Sequence, residues 1–219
     1  MAKQFAGHSE SVIERSSQTA MKQQLKMARD VDKRVGASTA LGGWMKDFLS
    51  SESSGNWNAW FGNAGNKEDL GQLDLAEILR RQAKPGNDAA GLIQIVPSTL
   101  KHVMKRYGYT PSTKFTPQVQ TEMALLLMKE KGLDKWLRNE IPDGVMADRL
   151  ASVWAGLKTS KGKGVYDSDG VNKGHQGHSV TVRQLGELRV LMDQNKDLAA
   201  WSSQKDPKAG KGAEILSTK

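Results

Sequence analysis

The sequence predicts a mainly helical fold with a small irregular, β-containing lobe, and three observations lead there. Apolar residues recur at helical spacing in separate segments spread over most of the 219 residues. One stretch, residues 55 to 88, is instead rich in Gly and Asn and sustains neither a helical nor a strand period. Finally, the sequence shows no alternation of strands and helices, no phosphate-binding glycine fingerprint and no internal repeat.

The elements follow in order. Residues 9 to 35 are polar and made of good helix formers, with Met21, Leu25, Ala28 and Val35 at helical spacing. A stripe this thin does not hold a helix by itself, so 1–37 is expected to be an amphipathic arm that docks on the main domain or on a partner protein. The main domain is expected over 38–195. There "GASTALGGWMKDFLSSES" offers Ser38 or Thr39 as N-cap and puts Leu41, Trp44, Met45, Phe48 and Leu49 on one face, with Glu52 at or just past the last turn. The Gly- and Asn-rich stretch reads as loop with room for a short hairpin, interrupted by a helical turn or two at "LDLAEILRRQ". "VPSTLKHVMKRYG" starts a helix at Pro97, places Leu100, Val103, Met104 and Tyr107 on one side and stops at Gly108. "TPQVQTEMALLLMKEKGLDKWL" reads as one Leu- and Met-rich helix at the centre of the core, and "PDGVMADRLASVWAGL" as another, bounded by Pro142 and Gly156. A glycine-rich loop, "KTSKGKGVYDSDGVNKGHQGHS", leads to a last helix, "TVRQLGELRVLMDQN", and 196–219 is a polar basic tail.

Composition narrows the function classes. A chain of 219 residues can bury one sizeable core. No run approaches the roughly 18 apolar residues of a membrane span, and the N-terminus lacks the apolar centre of a secretory signal, so neither a span nor an export address is expected. The absence of cysteine excludes disulfides, thiolate zinc sites and a Cys nucleophile. The net charge of +8 favours attraction to polyanions, whether nucleic acid, anionic headgroups or an acidic wall polymer.

The chemistry centres on "SESSGNW". Taken alone, Glu52 beside serines and a glycine is an ordinary solvated carboxylate. The second stretch, "GLIQIVPST" from Gly91 to Thr99, changes its meaning. The pair Glu52 and Ser53 with this stretch resembles the Glu-Ser and Gly-Leu-Met-Gln-Ile-x-Pro-x-Thr motifs of lytic transglycosylases in the lysozyme-like superfamily. "EILRRQAKPGNDAAGLIQIVPSTL", "FTPQVQTEMALLLM" and "LASVWAGLKTSKGKGVYDSDGVNKG" are together similar to the lysozyme-like domain of phage particle-associated murein hydrolases and, more loosely, of lambda-type endolysins. The likeness covers about residues 42 to 191; Ile93 stands where many phage relatives carry an aromatic residue.

The resemblance implies an α+β lysozyme-like fold whose helical lobe and small lobe flank a substrate cleft, and peptidoglycan glycan strands as substrate. It implies Glu52 as the catalytic acid and base, with Ser53 and Gln94 ordering the cleft and binding substrate. Tyr166 would hydrogen-bond near Glu52 or the sugar or else pack its loop, and Asn172 and Lys173 are further binding residues. No cofactor and no metal are implied. It places the protein in a phage virion, acting on the host periplasm and cell wall with other virion or ejection proteins as partners of the arm; the variant is a lysis enzyme held in the host cytoplasm until release.

Physical chemistry agrees with the glutamate. Cleaving a glycosidic bond requires protonating a poor leaving oxygen, so a carboxyl must stay protonated near neutral pH, which burial beside apolar groups achieves. Trp57, Trp60 and Phe61 follow Glu52 and are expected to supply that environment. Hydrolysis would also need a second carboxylate, about 5 to 5.5 Å away for retention or roughly 6.5 to 9.5 Å for inversion. Glu68, Asp69, Asp74 and Asp88 are available, though each also reads as a solvated loop charge. A lytic transglycosylase needs only the one glutamate, which takes a proton back from the sugar's own C6 hydroxyl. Trp154, at helical spacing in an apolar face, reads as core.

Two other classes compete. His175 and His178, near Asp167 and Asp169, contain ligand types for a zinc peptidase, but the spacing lacks the helix-borne His-Glu-x-x-His pattern and these histidines read as solvated loop residues. A noncatalytic ejection protein on a lysozyme-like scaffold is the other.

Overall fold

The computed structural model describes residues 40–194 except Asn87. The expected arm over 1–37, the tail over 196–219 and the caps Ser38 and Thr39 lie outside the described residues. Within them the chain forms eight α-helices and one 3-10 turn, with isolated β-bridges in place of strands.

The core is built around α5, Pro117–Glu130, in which every residue from Val119 to Met128 is buried. A helix apolar on all sides belongs inside a protein. Thr116 starts it by accepting from the Val119 N–H at 3.2 Å, with Pro117 in the first turn where no N–H is needed. Around it pack α1, Ala40–Phe48, and α4, Pro97–Tyr107; α3, Leu75–Gln82, lies against α4. The expected faces are present: Leu41, Trp44, Met45, Phe48 and Leu49 are buried, as are Leu100, Val103 and Tyr107. Trp44 stacks on Phe48 with centroids 4.7 Å apart, and the Trp44 indole N–H donates to Gln184 O at 2.7 Å, tying α1 to the last helix.

Three helix boundaries differ from expectation. The long central helix breaks after Glu130, because Gly132 adopts φ +100°, and the chain resumes as α6, Leu133–Leu137. A Cβ at Gly132 would lie 2.8 Å from Ile141 Cδ1, so only glycine fits the break. The helix expected to reach Gly156 is α7, Asp143–Leu150, which stops early. The amides of Val153 and Trp154 both fold back on Leu150 O, at 2.8 and 3.0 Å. This turn drives Trp154 into the core, edge-on to Phe48, and leaves the Gly156 N–H outside any intrahelical hydrogen bond. The last helix, α8, is His178–Gln194 and begins earlier than expected. His178 is therefore half-buried on a helix, its Nε2 3.2 Å from Gly144 O and 3.2 Å from Asp148 Oδ1, and not a solvated loop residue. Arg189 of α8 lies over the Trp136 ring at 4.1 Å and donates to Trp136 O, Leu137 O and Asp143, fastening α8 across α6 and α7.

The small lobe holds its shape with side-chain amides. Asn56 Nδ2 donates to Ala64 O and Asn66 O at 2.6 and 2.9 Å, Asn66 Nδ2 donates to Asn58 O at 2.7 Å, and Asn58 Oδ1 accepts from the Leu70 N–H at 3.0 Å. Asparagine is favoured there because its amide supplies the partners a strand ladder would otherwise give. Asp69 caps the 3-10 turn Leu70–Gln72 and Asp74 caps α3. The bridges Trp60 to Asn63, Trp60 to Ala90 and Ala90 to Ile95 close the lobe.

One polar side chain joins lobe and core. Gln120, fully buried in α5, accepts from the Leu92 N–H at 2.8 Å and donates to Trp57 O at 3.0 Å and Phe115 O at 3.1 Å. Gly91, at φ +75°, is required beside it, since a Cβ would run into the Gln120 amide.

The loop 157–177 is tied internally by Asp167, whose carboxylate accepts from the Gly164 and Gly174 amides at 2.9 and 2.7 Å. Those two bonds hold its carboxyl below the ordinary value of 3.8. The tie is therefore intact at neutral pH and is lost as pH falls through that lowered value.

Gln120→Leu would strand two buried backbone groups and one part-buried one, and should destabilise the protein by about 3 kcal/mol in urea unfolding. Asp167→Ala should leave global unfolding nearly unchanged while speeding hydrogen exchange of the Gly164 and Gly174 amides by roughly tenfold or more.

Candidate active site

Glu52 stands on α2, Ser50–Ser53, a single turn that follows α1 after Leu49 departs from helical geometry (φ −101°, ψ 18°). The turn ends at Ser54 in the left-handed region, φ +55°, with the Ser54 N–H on Ser50 O at 2.9 Å. The kink at Leu49 turns Glu52 out of the core and into a cleft of about 870 Å³. Glu52, Gln94, Tyr166, Asn172 and Lys173 all line it.

The Glu52 carboxyl is half-buried, and its Oε1 accepts from the Gly156 N–H at 2.5 Å. Burial pushes its pKa above the ordinary 4.5, with the Gly156 N–H working in the opposite direction. Among the described residues no cation pairs with it. Gly156 must be glycine for this approach, because a Cβ there would lie 2.7 Å from Glu52 Oε1.

The apolar surroundings differ from the expected trio. Trp60 is buried in the core, its backbone committed to the bridges with Asn63 and Ala90, and Trp57 packs against that core. Only Phe61 of the three reaches the cleft, whose other apolar walls include Ile93, Ile95, Val153, Trp154 and Ala155.

Gln94 sits on the opposite wall at φ +42°, in a tight turn between Ala90 and Ile95. Its Nε2 donates to Gly91 O at 2.8 Å, and the Trp154 indole N–H holds the preceding Ile93 O at 3.2 Å. Trp154 is thus core, as expected, and also braces the glutamine turn. Ser53 does not line the cleft: it is buried, with its hydroxyl 3.5 Å from Leu49 O at the start of its own turn. Tyr166 donates its hydroxyl to Ser152 O at 2.7 Å, fixing the loop while its ring faces the cleft. Asn172 is oriented by Asp169, which accepts from its amide N–H and its side chain, both within 2.8 Å. Lys173 is exposed at the rim.

Of the four possible second carboxylates, Glu68 is taken by Arg81 at 2.5 Å, while Asp69 and Asp74 are capping residues. Asp88 alone lines the cleft. At the far end Glu130 Oε1 accepts from the Tyr107 hydroxyl at 2.8 Å and lies 2.9 Å from His102 Nε2 and 3.1 Å from Arg106 Nε, with which it ion-pairs. Among the described residues no group of three or more His, Cys, Asp or Glu could hold a metal ion; His175 lines the cleft while His178 is engaged elsewhere.

Sequence reasoning missed Gly156, Ser51 and Glu130. Gly156 carries no local signal, being defined by contact with a residue 104 positions earlier. Glu130 ends a helix among lysines and reads as solvated; the approach of His102, Arg106 and Tyr107 from α4, 23 to 28 positions earlier, reveals it.

Comparison with known proteins bears on the same residues. Residues 50–138, from α2 to the end of α6, match the model of the Transglycosylase SLT domain. No curated protein and no solved structure matches the chain. The matched stretch carries Glu52, Gln94 and Gln120, and on it the chain is an enzyme, a lytic transglycosylase of peptidoglycan on a mainly helical lysozyme-like fold.

Proposed function

We propose that Glu52 performs both proton transfers in cleavage of the glycosidic bond between N-acetylmuramic acid and N-acetylglucosamine, without a second carboxylate. The observation that carries this reading is a half-buried carboxyl in the cleft whose pKa burial pushes above the ordinary 4.5, with a single N–H and, among the described residues, no cation beside it. Glu52 gives its proton to the leaving oxygen as positive charge grows on the sugar ring. The resulting carboxylate then takes a proton from the C6 hydroxyl, whose oxygen closes on C1 to form the anhydro sugar. Gln94, Tyr166, Asn172 and Lys173 stand on the walls where a glycan strand would lie.

Hydrolysis is the second reading, favoured by Asp88 in the same cleft. The resemblance of the sequence to virion-associated murein hydrolases supports a phage particle as carrier, opening the host wall locally during genome entry, with the 1–37 arm docking on other virion proteins. Release from the host cytoplasm at lysis is the variant.

Glu52→Gln keeps an oxygen for the Gly156 N–H and removes the acid. Release of fragments from purified wall should fall at least about a hundredfold; unchanged activity would instead favour a peptidase or a noncatalytic particle protein. The same variant should be more heat-stable. A carboxyl whose pKa is raised by folding stabilises below the ordinary 4.5 and loses that contribution as pH rises through its folded value, so Tm should rise for the variant at neutral pH and converge with wild type in acid.

Mass analysis of the fragments separates the two chemistries. Anhydro ends, lighter by one water than reducing ends, should dominate, and Asp88→Asn should leave both rate and product unchanged. Reducing ends that disappear in Asp88→Asn would establish the hydrolase.

A further inference from the structure

The serines of α2 dispose of their hydroxyls differently. Ser50 Oγ donates to Asp47 O at 2.8 Å, and Ser53 Oγ turns back to Leu49 O at 3.5 Å, the local bonds a helical serine makes to the preceding turn. Ser51 makes neither kind: its Oγ is buried and has no hydrogen-bond partner among the described residues. A buried hydroxyl without a partner is disfavoured, and where one persists the reason lies in something the resting state does not contain.

The surroundings narrow that reason. Ser51 lines the cleft with Glu52 and packs on Gly156, where a Cβ would lie 2.7 Å from Ser51 Oγ and 2.7 Å from Glu52 Oε1. Two oxygens that share one such point are within twice that distance of each other. They are not hydrogen-bonded in this state, and among the described residues the Glu52 carboxyl has a single donor, the Gly156 N–H.

We propose that Ser51 is a positioning residue that donates its hydroxyl hydrogen to the Glu52 carboxylate after that group has given up its proton, and stands unpaired while Glu52 is protonated. The proposal rests on the reading of Glu52 as acid and base. In the first step the Glu52 proton passes to the glycosidic oxygen and the bond to C1 breaks with its electron pair on the leaving oxygen. That leaves an anion in a buried site with one donor. A turn about the Ser51 Cα–Cβ bond supplies a second, the serine keeping its own proton. In the second step the carboxylate takes the C6 hydroxyl proton as that oxygen bonds to C1, and Ser51 is released. The unpaired hydroxyl marks a donor whose acceptor exists for only half of the cycle.

Among the described residues no charged side chain competes for the role. Asp88, His102, Glu130, Lys131, Tyr166, Lys173 and His175 are the titratable groups on the cleft walls, and none hydrogen-bonds or ion-pairs with Glu52. Lys46 and Asp47 of α1 are exposed.

The test is titration of the Glu52 carboxyl carbon by NMR in the full chain without substrate, assigned by its loss in Glu52→Gln. Ser51→Ala should raise the midpoint by about one pH unit, a tenfold weaker acid, and Ser51→Cys, a poorer donor of similar size, should fall between it and wild type. A Ser51→Ala midpoint at or below that of wild type would overturn the proposal; if the alanine variant does not fold, a Ser51→Cys midpoint at or below wild type does so. The readout needs no turnover. An unmoved midpoint with Glu52→Gln inactive removes Ser51 alone, whereas an active Glu52→Gln removes the reading beneath it.

Discussion

The buried amide of Gln120 joins segments that no helix or strand connects. Its three hydrogen bonds reach the backbone at Trp57, Leu92 and Phe115, so one side chain of the central helix sets the position of the chain just after Glu52 and of the turn that carries Gln94. An apolar residue of similar size would fill the space but leave loop N–H and C=O groups unpaired in the core, which is the costly alternative. Glutamine suits the place because its amide carries both a donor and an acceptor. The spacing of the cleft walls is in this way set from the interior outward.

On that frame the carboxylates divide by environment. Glu77, held by Arg80 and Arg81, is lowered to about 2, and Asp148, Asp167 and Asp169 are lowered with backbone or side-chain donors around them. Glu52 goes the other way because burial outweighs its single N–H. The same functional group is pushed toward its ionised form in one place and toward its protonated form in another, and the difference is burial set against the donors and cations the fold brings to it.

How much of this the sequence disclosed depends on distance along the chain. The faces of α1 and α4 were legible because periodicity and the Pro97 and Gly108 signals are local. So was the asparagine-rich lobe, whose residues serve their near neighbours. The break at Gly132 was hidden in a run of good helix formers, where one glycine is tolerable until Ile141 is packed against it. The early end of α7 was hidden likewise, since the pull on Trp154 comes from Phe48 and Ile93. Glu52 and Gln94 were found through motif resemblance. Ser53 shared that motif, yet its direction depends on the φ and ψ of Leu49. The expected aromatics failed for the same reason: adjacency in sequence does not decide which rings face inward.

The loop 157–177 leaves and re-enters the domain at one place. Leu157 bridges Gln176, and Gly156 O accepts from the His175 and Gln176 amides at 2.8 and 2.9 Å. A segment pinned at a common stem behaves as an exchangeable cassette, because added length raises its closure entropy only slowly. It carries Tyr166, Asn172 and Lys173 but neither Glu52 nor Gln94. Changes of length or side chain in this one segment would therefore alter one wall of the cleft while leaving the positions of Glu52 and Gln94, which are fixed by other elements, as they are.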